Sequence, residues 1–450
     1  MKRISTIFGC VALAGALGLA AASQAKPTQA DLDRLGKDLT PVGAEKAGNK
    51  DGTIPAYEGG LTKPPAGWSS DKGYVDPFPE DKPLFTITGQ NADQYKDKLT
   101  AGEYALLKKN AAFAMPVYQT RRTAAYPKDV LDKAAAQAGK VELNGYSIQN
   151  LGGSTIPFPV PKTGLEAISN HLVRYWGGSV DRTYDWFPVR ASGDFYRVSF
   201  REQRVADGNF DEHPDNHLFS FYGSFTAPAT LVGTVYLVHE PVDEVKETRQ
   251  AWIYNAGQRR VRRAPDLAYD NVNDGTEAMR VTDQYDGYNG APDRYDWKLV
   301  GKKEIYIPYN DYKISDKKVK YADIIGPGSV KPDYTRFELH RVWEVEATLK
   351  SDQKHIFGKR TFYLDEDSWI VSIEDAYDTK GQLWRVGVHS IAEFYGAQVP
   401  FYRSNIWYDL TNGNYLLAGL DNEVKTPWGW GVKAKWSDFQ PDALRRAGTK

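Results

Sequence analysis

Hydrophobic and polar residues alternate with a period of two through the C-terminal two-thirds of the chain, a pattern typical of β-strands with one buried face. In TLVGTVYLVHE, this alternation places Leu231, Val235 and Leu237 on one face of a predicted strand. Thr234 and Tyr236 then lie on the other face. We therefore expect this strand to present one apolar surface to the protein interior.

Later stretches repeat the alternation and predict an antiparallel meander. Asn412-Gly413 between two apolar runs is a strong hairpin signal. Asp365-Glu366-Asp367 also separates two such runs, so we interpret these carboxylates as a hairpin turn rather than as a catalytic acid and base. The apolar face of these strands is predicted to carry Trp343, Val345, Phe362, Leu364, Trp369, Val371, Trp384 and Val386.

Before these strands the hydrophobic period changes to that of a helix. Thr100 is followed by Glu103, and Thr163 by Glu166, in the spacing of a capping box, in which each side chain accepts a hydrogen bond from the other residue's backbone N–H. Pro127 suits the first turn of another helix because it has no N–H to satisfy there. We expect these short helices to pack on the sheet.

Residues 26–90 are rich in Gly and Pro, which interrupt regular elements. Apolar and aromatic residues such as Ile54 and Trp68 nevertheless recur there, which a disordered linker would not need. The predicted fold is mainly β with helices. It comprises a long irregular arm at 26–90, a helical segment at 91–178 and an antiparallel sheet at 179–450, all in one structural unit.

The first 25 residues have the pattern of a secretory signal peptide. Lys2 and Arg3 precede an uncharged apolar run, and Ser23 and Ala25 provide the small side chains that a signal peptidase selects. We expect export, with cleavage after Ala25. The alternative, a retained membrane anchor, is disfavoured because the run is shorter than the ~20 residues that a bilayer span needs.

Composition narrows the chemistry that the chain can perform. Cys10 is the single cysteine and lies inside the predicted signal peptide, so the mature chain would have no disulfide, thiolate metal site or cysteine nucleophile. Lys and Arg total 57 against 58 Asp and Glu, giving a formal net charge of −1 and no general attraction to nucleic acid. The sequence has no later apolar run long enough to span a membrane.

Common catalytic and cofactor motifs are missing from the sequence: GxSxG, HExxH, GxxxxGK and a GxGxxG that opens a helix. His213 and His217 could suggest a metal site, but Pro214 between them disfavours the helix that would align them, so we predict a solvated loop. In the calcium-like loop YDNVNDG, Val272 occupies a ligand position, which argues against calcium. We therefore predict no cofactor, no metal and no catalytic residue.

A basic stretch, WIYNAGQRRVRR, predicts an aromatic strand, a turn and a basic return strand. In that register Arg259 and Arg263 share a face with Val261, while Arg260 and Arg262 lie on the other face. A strand with arginines on both faces cannot be fully buried, so we place it at the rim or edge of the sheet. Our hypothesis is that these arginines contact anionic lipid head groups or an acidic partner.

Several long blocks of the chain resemble the proteobacterial domain-of-unknown-function 1329 family. The blocks are DLTPVGAEKAGNKDGTIPAYEGG, LVHEPVDEVKETRQAWIYNAGQRRVRRAPDLAYDN, NGAPDRYDWKLVGKKEIYIPYN, and ELHRVWEVEATLK with FGKRTFYLDEDSW. Because members are described as similar to outer-membrane lipoprotein-sorting proteins, the resemblance implies a LolA/LolB-type fold in the periplasm of a Gram-negative bacterium. That fold is a curved, incomplete antiparallel barrel whose apolar concave face is plugged by helices. The resemblance also implies an inner-membrane resistance-nodulation-division exporter and an outer-membrane protein as partners, because genes of the family often neighbour theirs.

These observations together favour a non-enzymatic carrier or chaperone that holds a lipid or another hydrophobic ligand in the concave face. Such a carrier would transfer the ligand to or from the outer membrane and contact membranes only peripherally and transiently. The alternation assigns two faces to each strand and leaves open which one is concave. The residues predicted to contact the ligand are Leu231, Val235, Leu237, Trp343, Val345, Phe362, Leu364, Trp369, Val371, Trp384 and Val386.

Two other functions stay open at this point. One is a periplasmic accessory protein of an exporter, in which the sheet would be fully packed and no lipid bound. The other is a secreted hydrolase acting on polysaccharide or lipid, which would need a cleft that joins two carboxylates, or a Ser and a His, at catalytic distance.

Overall fold

The computed structural model describes residues 26–265, 267–426 and 428–447. The predicted signal peptide, residues 1–25, lies outside the described residues. No described helix is long and apolar enough to cross a membrane. The described α-helices are α1 Gln29–Leu32, α2 Ala101–Lys109, α3 Lys128–Gln137, α4 Gly164–Val173, α5 Tyr321–Ile324 and α6 Pro441–Ala447.

The strands are more numerous and longer than the helices, as the sequence pattern predicts. They are β1 Phe85–Ile87, β2 Met115–Tyr118, β3 Glu142–Asn144, β4 Ser147–Gln149, β5 Ser179–Val189, β6 Val198–Ala206, β7 His217–Ala227, β8 Val235–Pro241, β9 Gln250–Asn255, β10 Arg260–Arg263, β11 Tyr295–Pro308, β12 Phe337–Leu349, β13 Phe357–Asp365, β14 Val371–Asp378, β15 Leu383–Phe394, β16 Val399–Asp409, β17 Tyr415–Leu420 and β18 Gly429–Trp430.

Sixteen of these strands form one large curved sheet that is not closed into a barrel, so the predicted mainly β, open-barrel fold is confirmed. The main path runs β11-β12-β13-β14-β15-β16-β17-β5-β6-β7-β8-β9-β10, and every neighbouring pair along it is antiparallel. β2 joins β12 in parallel and carries β1, while β18 pairs with β5. Strands β3 and β4 form a separate hairpin.

The prediction of a single meander was wrong in one respect. The chain forms one meander from β5 to β10 and a second from β11 to β17, and the two are joined because β17 pairs with β5. Hydrophobic alternation indicates which residues of a strand face inward, but it carries no information about which distant strand pairs with it. Each end of the main path, β10 and β11, therefore has one neighbour among the described residues.

Both predicted capping boxes are confirmed. The Glu103 N–H donates to the Thr100 hydroxyl at 3.0 Å, and the Glu103 carboxylate accepts from the Thr100 N–H at 2.9 Å. Thr163 and Glu166 make the same reciprocal pair at 3.1 and 3.2 Å. Pro127 stands one position earlier than predicted, since α3 begins at the next residue and the proline is its N-cap.

Helices α3 and α4 cover the face of β12 and β13 that the sequence marks as most apolar. Ala167 and Ile168 of α4 belong to the same buried cluster as Val345, Phe362 and Leu364 of these strands. The prediction that helices plug the apolar face of the sheet is therefore confirmed for this part of the sheet. This covered face has become part of the hydrophobic core.

The hairpin between β13 and β14 departs from strict alternation. Trp369 lies in the turn, not in the strand as predicted, with φ of +59° and its indole N–H donating to the Val42 carbonyl at 2.8 Å. A register shift between Tyr363 and Leu364 then places Val371 and Ile373 in different core clusters, although the sequence pattern put them on one face. Bulges of this kind add one residue and reverse the side-chain phase.

The arm also contributes to packing. Ile54 is 1% exposed and belongs to the largest core cluster, and the Tyr57 hydroxyl donates to the Ala124 carbonyl at 2.8 Å. Trp68 packs edge-on against Tyr395 with ring centroids 5.2 Å apart. The glycine- and proline-rich segment is therefore anchored by single apolar side chains.

Helix α2 lies very close to β14 and β15. A Cβ on Gly102 would come within 2.1 Å of an Asp375 carboxylate oxygen and 2.7 Å of a Val386 methyl group, so glycine is required there. The Thr100 hydroxyl donates to Asp375 at 3.1 Å. Burial raises the pKa of Asp375 to about 7. Hydrogen bonds from the start of α2 favour the ionised form and lower the pKa, but burial has the larger effect.

Asp375→Asn should remove a pH-dependent cost to stability. Because the folded-state pKa lies above the ordinary value of 3.8, ionisation of Asp375 costs the folded state more as pH rises from about 4 to about 7. The variant cannot ionise, so its unfolding free energy relative to the unsubstituted protein should rise with pH, by up to about 1.4 kcal/mol per pKa unit. Urea unfolding at pH 5 and pH 8 measures this difference.

The matched control is Asp352→Asn in an exposed turn. Its stability difference should stay constant between the two pH values. A constant difference for Asp375→Asn as well would contradict the interpretation.

Candidate functional site

A cavity of about 350 Å³ lies between strands β5–β9 and the irregular chain that follows β10. We call residues 267–290 of this irregular chain the cover segment. The cavity volume is within the range of small-molecule sites, which begins at about 300 Å³. Eight aromatic side chains line this cavity, namely Tyr184, Trp186, Phe200, Phe219, Phe221, Phe225, Tyr236 and Tyr285.

Strand register explains why these side chains converge. The antiparallel pairing aligns Glu202, Gly223, Tyr236, Ile253 and Arg262 in one row across five strands, so their side chains point to the same face. Residues two positions along each strand share that face, which brings the aromatic rings of neighbouring strands together. The row ends at Arg262 on the edge strand β10.

The aromatic rings pack on one another as well as on the cavity. Phe200 lies 5.3 Å from Trp186 and 5.0 Å from Phe225 between ring centroids, in tilted and edge-on arrangements that aromatic pairs favour. Gly223 makes room for this packing, because a Cβ there would come within 2.2 Å of the Phe200 ring. The wall is therefore a fixed surface rather than a set of independent side chains.

Buried ion pairs hold the cover segment against the sheet. Asp286 accepts from Arg174 at 2.5 Å and from Arg204 at 2.7 Å. Burial by itself would raise the pKa of Asp286, but the two guanidinium groups outweigh burial and hold the pKa below its usual range. One carboxylate thus links the cover segment both to the end of α4 and to β6.

A second anchor connects the cover segment to the other meander. Arg360 of β13 is fully buried and donates to Asp283 at 2.9 Å and to Glu374 of β14 at 2.6 Å. Gln284 donates to the same Glu374 at 3.0 Å. The cover segment is therefore pinned to both halves of the sheet.

Five arginines and two carboxylates line the cavity. Arg204 pairs with Asp286 as described, and Arg249 donates to Glu240 at 2.6 Å. The second lining carboxylate, Asp274, is exposed and accepts from the Tyr236 hydroxyl. The three other lining arginines are Arg262, Arg263 and Arg280. Among the described residues, none of the three has a carboxylate oxygen within 4 Å.

Arg280 is the buried member of this set, with 5% of its surface exposed. Its Nε donates to the Asn273 side chain at 2.8 Å. Its guanidinium carbon lies 5.3 Å from the ring centroids of Trp186, Tyr285 and Trp407. Burial lowers the pKa of Arg280 below its ordinary value, since the nearby hydroxyl groups and carboxylate compensate only in part.

The residues predicted to contact a ligand do not line this cavity. Val235 and Leu237 pack beneath Phe439 and Leu444 near the C-terminus. Leu231 lies in the turn before β8, not in the strand as predicted. The remaining predicted residues pack under helices α3 and α4, beside Phe357 or in the main core, and these are Trp343, Val345, Phe362, Leu364, Trp369, Val371, Trp384 and Val386.

The basic strand is at the edge of the sheet, as expected. Among the described strands β10 pairs with β9 alone, and all four of the predicted arginines are exposed. Arg259 has φ of +51° and belongs to the turn, so the return strand begins at Arg260. Arg262 and Arg263 line the cavity opening, whereas Arg259 and Arg260 do not.

A group of potential metal ligands occurs elsewhere, at the predicted acidic hairpin turn. His340, Asp365 and Asp367 offer ligand atoms within 4.8 Å of one another and are buried. Arg122, however, already donates to both oxygens of Asp367, at 2.8 and 2.6 Å, and His340 is 3.1 Å from Glu338. These contacts indicate a structural charge cluster that fixes the turn.

The loop that was predicted to be solvated contains two histidines, His213 and His217. His213 and His217 each lie about 3 Å from an oxygen of Asp207, at 3.1 and 3.0 Å. The second histidine begins β7, so the two do not share a helix. The solvated-loop interpretation holds for the first histidine, which is exposed, while the side chain of the second is buried.

Sequence comparison places the chain among known proteins. A model of the family described as protein of unknown function (DUF1329) matches residues 86–445. An uncharacterized protein of Pseudomonas aeruginosa is 47% identical over 425 residues, covering 93% of each chain.

Solved structures give weaker similarities. An outer membrane lipoprotein-sorting protein domain from Vibrio parahaemolyticus is 13% identical with a TM-score of 0.44, covering 63% of this chain and 98% of its own. A DUF1329 family protein from Desulfovibrio piger is 14% identical with a TM-score of 0.41, covering 60% and 92%. A LolA superfamily protein from Nitrosomonas europaea is 12% identical with a TM-score of 0.37, covering 62% and 99%.

Asp286→Asn should strongly destabilise the protein at pH 7. The substitution leaves Arg174 and Arg204 buried without a counter-charge, and breaking a buried pair costs about 3–5 kcal/mol. Because the folded-state pKa lies below the ordinary value of 3.8, ionised Asp286 stabilises the protein fully above about pH 4. The difference in unfolding free energy between the variant and the unsubstituted protein should therefore shrink as pH falls further below about 4. Urea unfolding measures both effects.

The control is Asp215→Asn, whose carboxylate is 95% exposed. It should change the unfolding free energy by no more than about 0.5 kcal/mol. A similarly small change for Asp286→Asn would show that the cover segment does not depend on this pair.

Proposed function

The chain belongs to the DUF1329 family, and from this premise we propose that it is a periplasmic carrier or chaperone that binds a lipid or similar hydrophobic molecule. The observation that carries the proposal is the aromatic cavity of about 350 Å³ between the sheet and the cover segment. Helices and core packing cover the apolar strand faces that carry Val345 and Phe362, and those that carry Val235 and Leu237. The cavity is an apolar surface that a ligand can still bury.

Physical chemistry supports a hydrophobic ligand in this position. Removing apolar surface from water is favourable by ~25 cal/mol per Å², so an acyl chain gains by lying against the aromatic wall. The wall is rigid because its rings pack on one another, which reduces the entropy lost on binding. The residues that we propose as ligand contacts are Trp186, Phe200, Phe221, Phe225, Tyr236, Val238 and Ile253.

Export to the periplasm is part of the proposal. It rests on the N-terminal sequence pattern and on the lack of cysteine after Cys10, which leaves nothing for an oxidising compartment to cross-link. Transfer to or from the outer membrane, and the exporter and outer-membrane partners that the family resemblance implies, belong to the same proposal.

Export predicts that the mature protein begins at Lys26. N-terminal sequencing of protein from a periplasmic extract should give Lys-Pro-Thr-Gln, and Ala25→Arg should retain the longer precursor because the peptidase needs a small residue there. Lys26→Arg, which changes the residue after the cleavage site conservatively, serves as the control and should still be processed. An unprocessed wild-type chain in the cytoplasmic fraction would contradict export.

Ligand binding predicts that filling the cavity abolishes affinity. Val238→Trp introduces a bulky ring into the lining, so binding of radiolabelled palmitate in equilibrium dialysis should fall at least tenfold. Val245→Trp, at a 52% exposed position outside the lining, should leave binding unchanged. Lipid should also be recovered by solvent extraction of the purified wild-type protein.

A transfer assay tests the carrier role itself. Wild-type protein should accelerate movement of the labelled fatty acid from donor to acceptor vesicles, and Val238→Trp should not. If the purified wild-type protein contains no bound lipid and binds no palmitate, the proposal is overturned. The role of an exporter accessory protein is then favoured.

A further inference from the structure

We propose that the ligand of the aromatic cavity is an amphiphile with an anionic head group, a carboxylate or a phosphate, and that Arg280 pairs with this head group inside the cavity. This inference rests on the proposed binding function of the cavity. It adds the chemical class of the ligand and the residue that selects it.

A comparison within the chain carries the inference. Ten arginines are buried among the described residues, and nine have a carboxylate oxygen within 4 Å. Arg280 is the tenth and has none among those residues. The nine paired arginines are Arg122, Arg174, Arg182, Arg204, Arg336, Arg341, Arg360, Arg385 and Arg403.

Arg280 lines the cavity and has hydrogen-bond donors left over. Its Nε is used by Asn273, while its two Nη atoms make no hydrogen bond to described residues and the side chain forms part of the cavity lining. Two Nη groups and their fixed planar geometry match a carboxylate or a phosphate, which can accept two parallel hydrogen bonds. The position therefore offers donors that the described residues do not use.

Glu202, which acts electrostatically on Arg280, and Asp274, which lines the same cavity, already have other partners. Glu202 accepts from Arg182 at 2.9 Å and from the Tyr285 hydroxyl at 2.5 Å. Asp274 accepts from the Tyr236 hydroxyl. Neither carboxylate is within 4 Å of the Arg280 guanidinium, so no described residue supplies a paired counter-charge.

Aromatic rings around Arg280 provide partial compensation. The guanidinium is attracted to the negative faces of the aromatic rings that lie 5.3 Å away. Burial of a charge without a counter-ion costs more than such contacts return, so they do not replace an ion pair. The same rings that surround the charge would pack against the first methylenes of an acyl chain, which places head group and tail on adjacent surfaces.

Arg262 and Arg263 add a second basic element at the opening. Both are exposed and neither has a carboxylate partner among the described residues, so the mouth is basic in a protein with a formal net charge of −1. Exposed charges of this kind act mainly on association rate by attracting an oppositely charged ligand. The basic mouth and the buried Arg280 thus favour the same class of ligand.

Four matched compounds test the head-group chemistry: palmitate, hexadecyl phosphate, hexadecanol and inorganic phosphate. The three amphiphiles share one tail, so differences in their binding report the head group. Wild-type protein should bind palmitate or hexadecyl phosphate at least tenfold more tightly than hexadecanol, and the tighter of the two identifies the natural head group. Inorganic phosphate at millimolar concentration should not displace the bound amphiphile.

Variants assign the preference to Arg280. Arg280→Gln should bind both anionic amphiphiles at least tenfold more weakly while keeping the wild-type affinity for hexadecanol, and Arg280→Lys should recover part of the loss. Arg260→Gln, an exposed arginine of the same basic region that does not line the cavity, should behave as wild type. Equal loss for hexadecanol, or no loss for palmitate, would overturn the assignment.

Stability of the empty protein separates a ligand-pairing role from a structural one. Removing an unpaired buried charge relieves its desolvation cost, so Arg280→Met should leave the urea midpoint unchanged or raise it in the delipidated protein. A fall in the midpoint would indicate a structural role and contradict the proposal.

The outcomes also distinguish the two proposals. If wild-type protein binds all three amphiphiles equally, the cavity binds hydrophobic molecules but this inference fails. If it binds none of them, the proposed function fails first. Displacement of the amphiphile by inorganic phosphate would show that the site selects a free anion and would overturn the inference.

Discussion

The pairing of β17 with β5 is the constraint on which the rest of the structure depends. It joins two meanders into one sheet and leaves β10 and β11, which are consecutive in sequence, at opposite ends of that sheet. The connection between them must therefore run from one end of the open sheet to the other. The cover segment lies in this connection, and the cavity is the space between it and the strands that it passes.

The backbone–backbone hydrogen bonds of this irregular segment are local to it, as from the Asn273 N–H to the Arg280 carbonyl, so its position on the sheet depends on side chains. The structure uses buried carboxylates, Asp283 and Asp286, each shared between a guanidinium and a second cationic or polar partner. Such pairs add little net stability, because both charges lose their hydration. They do fix the segment in one position, since any displacement would leave a charge buried alone.

Much of the fold was predictable from the sequence because it depends on local pattern. Alternation located the long strands, the Thr100 and Thr163 capping boxes located two helices, and arginines on both faces placed β10 at an edge. These features depend on residues a few positions apart. The pairing of β17 with β5 depends on residues more than two hundred positions apart, for which alternation gives no signal.

The cavity was missed for a related reason. The most apolar strand faces were assigned to the ligand, but those faces are covered by helices and became core, as for Val345 and Phe362. The face that remains open carries mixed residues, such as Tyr236, Val238 and Glu240 on β8, and resembles an ordinary solvated face in the sequence. Arg280 lies in the irregular cover segment, where no periodicity marks it as buried.

The two anchors of the cover segment have a kinetic consequence. Both are side-chain contacts, and releasing them breaks no rung of the sheet ladder between β5 and β9. Partial opening of the segment and global unfolding are therefore separate events with separate barriers, as in proteins whose local units exchange amide hydrogens independently. A ligand of the kind proposed would then enter and leave by local release of these two anchors, while the sheet beneath the cavity keeps its strand pairing.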